Sequence, residues 1–111
     1  MIRIISFSYR NRPDIGAVEL DCRSLWNPHN DPTLRKLTGM DAAVQEAVKS
    51  DPQAKELLVK AHEAVGLGDS LIAFGCYGGK HRSVAMAELF AAELRVDGNS
   101  VQIEHQALQD H

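Results

Sequence analysis

The sequence predicts an α/β fold: one small domain with a four-stranded, largely parallel sheet flanked by about three helices. Three observations predict this class: an apolar run at the N-terminus, an alternation of strand-like and helix-like segments, and a strand–helix–strand order near the end of the chain. The last order implies a parallel pair of strands joined by a right-handed crossover. With 111 residues the chain is long enough for one core and too short for two, so we expect a single domain over residues 1–111.

The first part of the chain contains two predicted strands and a long irregular loop. Residues 2–7 are rich in β-branched and aromatic residues and end at a polar stretch with Pro13, which indicates strand one. Residues 17–22 alternate loosely and predict strand two. Residues 23–38 contain the helix breakers Pro28 and Pro32, and a loop of this length in a small domain is often functional.

The second part of the chain alternates helix and strand patterns. In order, the sequence predicts a helix over 40–48, a helix over 54–65, a strand over 70–75, a helix over 82–97 and a strand over 100–105. In parallel sheets, ligands bind beyond the carboxyl ends of the strands. We therefore expect the loops after strands one, two and three to share one cleft.

The composition excludes several classes of function. A formal net charge of −3 and a pI near 5.9 leave no overall positive field to recruit nucleic acid, so any anion site must be local. The N-terminus lacks the apolar core of a signal peptide, and no run approaches the ~18 apolar residues that span a bilayer. We therefore expect a cytoplasmic protein with no membrane partner, in which Cys22 and Cys76 are free thiols.

The stretch GCYGGKHRS, residues 75–83, is the strongest candidate for a functional loop. It joins a predicted strand to a predicted helix, and its glycines let backbone N–H groups turn inward. Lys80, His81 and Arg82 bring cationic donors to a helix N-terminus, where the helix dipole already favours an anion. The loop therefore predicts a phosphate site, and such a site needs no catalytic residue.

Three other interpretations of this loop stay open. Cys76, five intervening residues and Arg82 match the loop of cysteine-dependent phosphatases, with Asp31 or Asp21 as the general acid. A Walker loop is only half matched, because His81 stands where a hydroxyl group would hold magnesium. The third interpretation is a plain tight turn with its cations in solvent.

Polar residues on the other two predicted loops are expected to join the site. Arg10 follows strand one, and Arg23, Asn27, His29 and Arg35 lie on the long loop after strand two. Metal binding would need three or more converging ligands, and the sequence predicts neither a metal nor a cofactor. The remaining histidines, His62, His105 and His111, are predicted to lie on the surface without a partner.

Two long motifs resemble a known family. The first is Asp21-x-Arg23-x-Leu25-x-Asn27-Pro28-His29-x-Asp31-Pro32-x-Leu34-Arg35-x-Leu37-Thr38-Gly39-x-Asp41, and the second is Gly75-Cys76-x-Gly78-Gly79-Lys80-His81-Arg82-Ser83-Val84. Both resemble the C-terminal domain of RapZ-type proteins, the RNase adapter family. The likeness extends from residue 4 to about residue 105.

The resemblance implies a phosphate-recognising α/β domain, similar to a phosphofructokinase subdomain, that senses glucosamine-6-phosphate and assembles into oligomers. It also implies binding of small RNAs, which family members present to an endonuclease. RapZ proteins carry an N-terminal P-loop domain, which we expect this chain to lack, and a basic tail. This sequence ends EHQALQDH, so we expect weak RNA affinity or none.

The resemblance assigns Gly78, Gly79, Lys80, His81 and Arg82 to the metabolite pocket, while the family's threonine after the loop cysteine is Tyr77 here. With the neighbouring loops included, the predicted ligand-binding residues are Arg10, Arg23, Asn27, His29, Arg35, Tyr77, Gly78, Gly79, Lys80, His81, Arg82 and Ser83. Cys76, Arg82 and Asp31 are catalytic only in the phosphatase alternative. The predicted partner is a phosphorylated small molecule.

Overall fold

The computed structural model describes residues 1–11, 16 and 18–109. The strands are β1 (Ile2–Ser8), β2 (Val18–Asp21), β3 (Leu71–Cys76) and β4 (Val101–His105). The helices in this part of the chain are α1 (Ala42–Lys49), α2 (Pro52–Gly66), α3 (Arg82–Val96) and the short α4 (Gln106–Gln109), with 3₁₀ turns at Tyr9–Asn11 and Pro28–Asn30. The predicted strands and the three longer helices are confirmed to within two residues at each end. Pro13 and Ala17 lie outside the described residues.

The sheet has four parallel strands in the order β2-β3-β1-β4. The prediction of a largely parallel sheet is therefore confirmed. The two final strands run parallel as expected but are not neighbours, because β1 lies between them. The central position suits β1, since five consecutive residues of it are buried and only a strand flanked on both sides is so fully enclosed.

The core lies between the sheet and the longer helices. Ile4, Ile72 and Phe74 on the sheet are fully buried against Met86 and Phe90 of α3. The rings of Phe74 and Phe90 meet edge to face with centroids 5.9 Å apart. Because side chains alternate along a strand, Ile5, Phe7 and Ala73 form a second, smaller cluster on the opposite face.

The start of α2 also anchors the long loop. Asp51 caps this helix: one carboxylate oxygen accepts the Gln53 N–H at 2.9 Å, and Pro52 occupies the first turn, where no N–H is needed. The other oxygen accepts the Trp26 N–H at 2.8 Å. One side chain thus fixes the helix start and the position of the loop that follows β2.

Two histidines have partners that the sequence pattern does not indicate. In His105, Nδ1 lies 2.7 Å from Ser6 Oγ and Nε2 lies 2.8 Å from Glu88 Oε2. In His62, Nε2 lies 2.7 Å from Glu93 Oε1. The prediction that these histidines lack partners is therefore wrong, while His111 lies outside the described residues.

The strand order creates a switch point between β3 and β1. The chain continues from β1 to β2, which lies at one edge of the sheet, and from β3 to β4, which lies at the opposite edge. In open α/β sheets such a divergence leaves a crevice at the carboxyl ends of the two strands.

Among the described residues, no helix combines the length and the apolar character needed to cross a bilayer.

Candidate anion-binding site

A cavity of about 560 Å³ lies beyond the carboxyl ends of the strands. It is lined by Arg10, Asn27, His29, Arg35, Lys36, Cys76, Tyr77, Gly78, Lys80, His81 and Arg82. Of these described lining residues, five are arginine or lysine, two are histidine and none is aspartate or glutamate. Cations gathered with no described carboxylate beside them give this cavity a local positive charge, in a chain whose formal net charge is −3.

The N-terminus of α3 opens onto this cavity. The N-cap residue is His81, whose side chain makes no capping hydrogen bond, and the first turn of the helix contains no acidic residue. The first N–H groups of a helix have no partner within the helix, and the helix dipole gives them positive character. The 15-residue helix α3 therefore begins with neither a side-chain cap nor an acidic residue to balance its dipole.

Two sets of residues form most of the site, a floor and a rim. The floor residues are buried and lie at the end of β3 and the start of α3: Cys76, Gly79, His81, Arg82 and Ser83. The rim residues are exposed and come from the surrounding loops: Arg10, His29, Arg35, Lys36 and Tyr77. Gly79 and Ser83 support the floor without lining the cavity themselves.

Arg82 connects the floor to the long loop after β2. Its side chain is 7% exposed, and Nη1 donates to the backbone carbonyl of Arg23 at 2.7 Å and to that of Leu25 at 3.3 Å. The guanidinium therefore satisfies loop carbonyls and still lines the cavity. The plain-turn interpretation, with the cations in solvent, is wrong for Arg82 and for the equally buried His81.

His81, one of the lining residues, has an unpaired ring nitrogen. Nε2 is buried and meets no hydrogen-bonding group among the described residues. Burial, the largest cause, lowers the pKa of His81, and the charge of Lys80 acts in the same direction; the nearby backbone of Leu37 and Arg35 favours the protonated form but does not outweigh them. Nε2 is thus a buried polar atom for which the described residues supply no partner.

Gly79 gives the loop its shape. Its φ is +67°, in the left-handed region that favours glycine, and an added Cβ would lie 2.4 Å from the Cβ of Ala107 and 2.9 Å from that of Ser8. The Gly79 N–H donates to Cys76 Sγ at 3.2 Å, and the same sulfur donates to Ser83 Oγ at 3.2 Å. The thiol is 2% exposed and is part of the loop's internal hydrogen bonding.

Gly39 lets the long loop pack against the start of α3. Its N–H donates to the Lys80 carbonyl at 2.9 Å. A Cβ on Gly39 would lie 2.2 Å from the backbone N of Ala85 and 2.5 Å from the carbonyl oxygen of His81. Because those atoms are backbone and cannot turn aside, only glycine allows the loop to approach the start of α3 this closely.

Hydrogen bonds between side chains and backbone groups hold the rim in place. Arg35 Nε donates to the His29 carbonyl at 2.8 Å, and Lys80 Nζ donates to the Arg35 carbonyl at 3.3 Å. Asn27 Oδ1 accepts the His29 N–H at 3.1 Å and so caps the 3₁₀ turn that presents His29. These bonds fix the loop beside the glycine loop while its cationic groups still face the cavity.

Arg10 and Tyr77 form the opposite side of the rim. The Arg10 guanidinium lies 5.1 Å from the centroid of the Tyr77 ring, a cation–π contact. Ser8 Oγ donates to the Tyr77 carbonyl at 2.6 Å and accepts the Arg10 N–H at 3.2 Å. One serine at the end of β1 therefore fixes both residues at the mouth of the cavity.

Nine of the twelve predicted ligand-binding residues line the cavity: Arg10, Asn27, His29, Arg35, Tyr77, Gly78, Lys80, His81 and Arg82. Arg23 does not; its guanidinium pairs with Asp21 at 2.7 Å and stacks on the Tyr9 ring at 3.9 Å. Lys36 lines the cavity but was not predicted. The available signal was that Lys36 is the only lysine in the sequence of residues 23–38 and directly follows Arg35.

The suggested general acids are engaged elsewhere. Asp31 accepts hydrogen bonds from the hydroxyl and the N–H of Thr33, which lower the pKa of Asp31, and it does not line the cavity. The hydrogen bond from Arg23 likewise lowers the pKa of Asp21. Among the described residues, no three His, Cys, Asp or Glu side chains come together to hold a metal ion.

Comparison with known proteins supports the resemblance seen in the motifs. A protein of Thermobifida fusca named nucleotide-binding protein is 43% identical over 95% of this chain, which corresponds to 40% of the relative's length. A nucleotide-binding protein of Rhodospirillum rubrum is 39% identical over 98% of this chain and 38% of its own length. The chain thus spans about two fifths of the length of these curated relatives.

The family comparison covers nearly the whole chain. Residues 1–109 match the RapZ C-terminal domain. This range includes β1 to α4 and every residue that lines the cavity. The chain therefore belongs to the RapZ C-terminal domain family.

Proposed function

We propose that this chain is a non-catalytic binding module that holds a phosphorylated small molecule in the cavity and passes its occupancy to a partner protein or a second copy. The membership of the RapZ C-terminal domain family makes an amino-sugar phosphate, such as glucosamine-6-phosphate, the first ligand to test. Nucleotides belong in the same test, because the relatives are named nucleotide-binding proteins.

One observation carries the proposal: five arginines and lysines line a cavity at an uncapped helix N-terminus, with no described carboxylate among them. Outside the cavity, by contrast, the Arg23 guanidinium is paired with the Asp21 carboxylate. Cations held near one another repel, so this arrangement is favourable when an anion joins them. A phosphate group also accepts several hydrogen bonds at once, which suits guanidinium, ammonium and backbone N–H donors.

Thermal unfolding and calorimetry against a ligand panel test the proposal. The panel contains glucosamine-6-phosphate, glucose-6-phosphate, a nucleoside monophosphate, inorganic phosphate, sulfate and unphosphorylated glucosamine. A ligand present at one hundred times its Kd stabilises the folded state by about 2.7 kcal/mol, which corresponds to a rise in Tm on the order of 10 °C for a domain of this size. We expect such a rise with at least one phosphorylated compound and none with glucosamine.

One lysine variant and one arginine variant separate ligand binding in the cavity from a general effect of salt on stability. Lys36→Gln removes a rim cation, whereas Arg3→Gln removes an exposed cation on β1 that does not line the cavity. The stabilisation by ligand must weaken in Lys36→Gln and persist in Arg3→Gln. If no anion raises Tm, or if both variants respond alike, the proposed pocket is not an anion site.

Phosphatase activity is the second candidate, because Cys76 lines the cavity and contacts both Ser83 and Gly79. The absence of a carboxylate among the described lining residues argues against it, since leaving-group protonation needs an acid. We expect wild type and Cys76→Ser alike to leave an aryl phosphate unhydrolysed. Turnover by wild type that is lost in Cys76→Ser would instead establish the enzyme.

RNA binding is the remaining alternative, and its signature is a steep dependence of affinity on salt. The formal net charge of −3 gives the chain no overall attraction for a polyanion. We expect no RNA complex near physiological ionic strength. A complex whose affinity falls with salt and is weakened by Lys36→Gln would favour the adapter role.

A further inference from the structure

We infer that anion binding in the cavity is coupled to the uptake of one proton by His81, so that the ligand is held by an imidazolium at the start of α3. The inference rests on the proposed function, because it concerns the same cavity. It adds a regulatory property that the binding proposal does not require: occupancy of the site depends on pH.

The geometry of His81 is the first support. The side chain is 7% exposed, lines the cavity and forms the N-cap of α3. Its Nε2 is a buried side-chain atom with no hydrogen-bond partner among the described residues. A buried polar group without a partner costs roughly 1–3 kcal/mol, and an anion in the cavity would supply the missing acceptor for an N–H at this position.

The groups that face His81 are the second support. Lys80 belongs to the same loop, His29 to the 3₁₀ turn, and Arg35 and Lys36 to the long loop, while Arg82 follows on α3. Four of these side chains are lysine or arginine and the fifth is a histidine, and no carboxylate faces the cavity from the described elements. In the free protein, another positive charge among them is unfavourable. A bound dianion reverses the sign of that interaction.

The resulting pH dependence has a definite sign. Burial lowers the pKa of His81, so the imidazole is neutral at pH 7 in the free protein. A bound anion raises that pKa, and between the free and bound pKa values one proton is taken up on binding. Over that window affinity weakens as pH rises, by at most about tenfold per pH unit for one linked proton. Below the free pKa the imidazole is already charged and uptake disappears.

Calorimetry in buffers of different ionisation enthalpy measures the proton directly. Sulfate is the probe, because it does not titrate near neutral pH as a phosphate ester does. The slope of the binding enthalpy against the buffer's ionisation enthalpy gives the number of protons taken up, and we expect up to one at pH 7. His81→Asn must abolish the slope while leaving an N-cap side chain of a favoured type. His29→Gln, which removes the other lining histidine, must preserve it.

The possible outcomes distinguish proton coupling at His81 from the proposed function of anion binding. Binding of sulfate with no buffer dependence in wild type overturns proton coupling and leaves the proposed function intact. No binding of any anion overturns both. A slope that survives His81→Asn but not His29→Gln assigns the proton to His29 and overturns the inference. If His81→Asn does not fold, the ¹⁵N signals of the wild-type His81 imidazole decide: on addition of sulfate they must move to those of an imidazolium, and an unchanged neutral pattern overturns the inference.

Discussion

The floor and the rim of the cavity are both cationic but differ in how they are held. The floor residue Arg82 is buried and hydrogen-bonded to two loop carbonyls, so it belongs to the packing of the domain as well as to the site. The rim residue Arg10 is exposed, and its guanidinium contacts the ring of Tyr77. The difference teaches that removing a floor side chain should affect folding and binding together, whereas removing a rim side chain should affect binding alone.

The largest expected effect is that of Arg82→Gln. The substitution leaves the carbonyl groups of Arg23 and Leu25 without their donor in a buried place, at a cost of about 2–3 kcal/mol of unfolding free energy. Urea denaturation measures it. Arg10→Gln is the matched rim variant and should stay within about 0.5 kcal/mol of wild type, as surface substitutions usually do. Equal losses in the two variants would remove the distinction between floor and rim.

A glycine pair tests the floor's backbone. Gly79→Ala forces a side chain into the left-handed region and against Ala107 and Ser8, and should lower stability by about 2 kcal/mol. Gly78 has no positive φ, and a Cβ there would meet nothing within 4 Å. Gly78→Ala should therefore unfold at a Tm close to that of wild type. A similar drop in Tm in both variants would mean that the loop does not need glycine at one particular position.

A smaller effect is expected from the pH dependence of stability in the absence of ligand. The folded pKa of His81 is lowered relative to its ordinary value of 6.5, so the unfolded chain binds this proton more readily. Stability should therefore fall as pH decreases below 6.5 towards the folded pKa, and level off below it. His81→Asn should flatten this part of the curve of unfolding free energy against pH. A wild-type curve that coincides in shape with the variant's would contradict the lowered pKa.

The sequence predicted the elements well because their signals are local. Apolar residues at helical spacing, glycines after α2 and the Asp51-Pro52 helix start each act within a few positions of the chain. The position of the cleft followed from a general property of parallel sheets, and the loops after β1, β2 and β3 do meet at one cavity.

What the sequence did not predict depends on distant contacts. In the sequence, nothing distinguishes Arg82 from an exposed loop cation. Its hydrogen-bond partner, the carbonyl of Arg23, is 59 positions away along the chain and becomes a neighbour only in the fold. The burial of β1 between β3 and β4 also depends on pairings that no local pattern encodes. Arg23 illustrates the opposite case, since Asp21 and Tyr9 engage a side chain that the motif had associated with the ligand.

The smallest effect is expected from Arg23→Gln, for which we predict no change in ligand affinity. Arg35 and Arg23 lie on the same loop, but only Arg35 lines the cavity. Arg35→Gln should weaken anion binding by about tenfold, the value of one charge-assisted hydrogen bond. Arg23→Gln should leave the Kd unchanged, because its guanidinium is engaged by Asp21 and Tyr9 outside the cavity. Calorimetry with the best ligand of the panel compares the two, and a loss in Arg23→Gln as large as that in Arg35→Gln would place Arg23 on the rim after all.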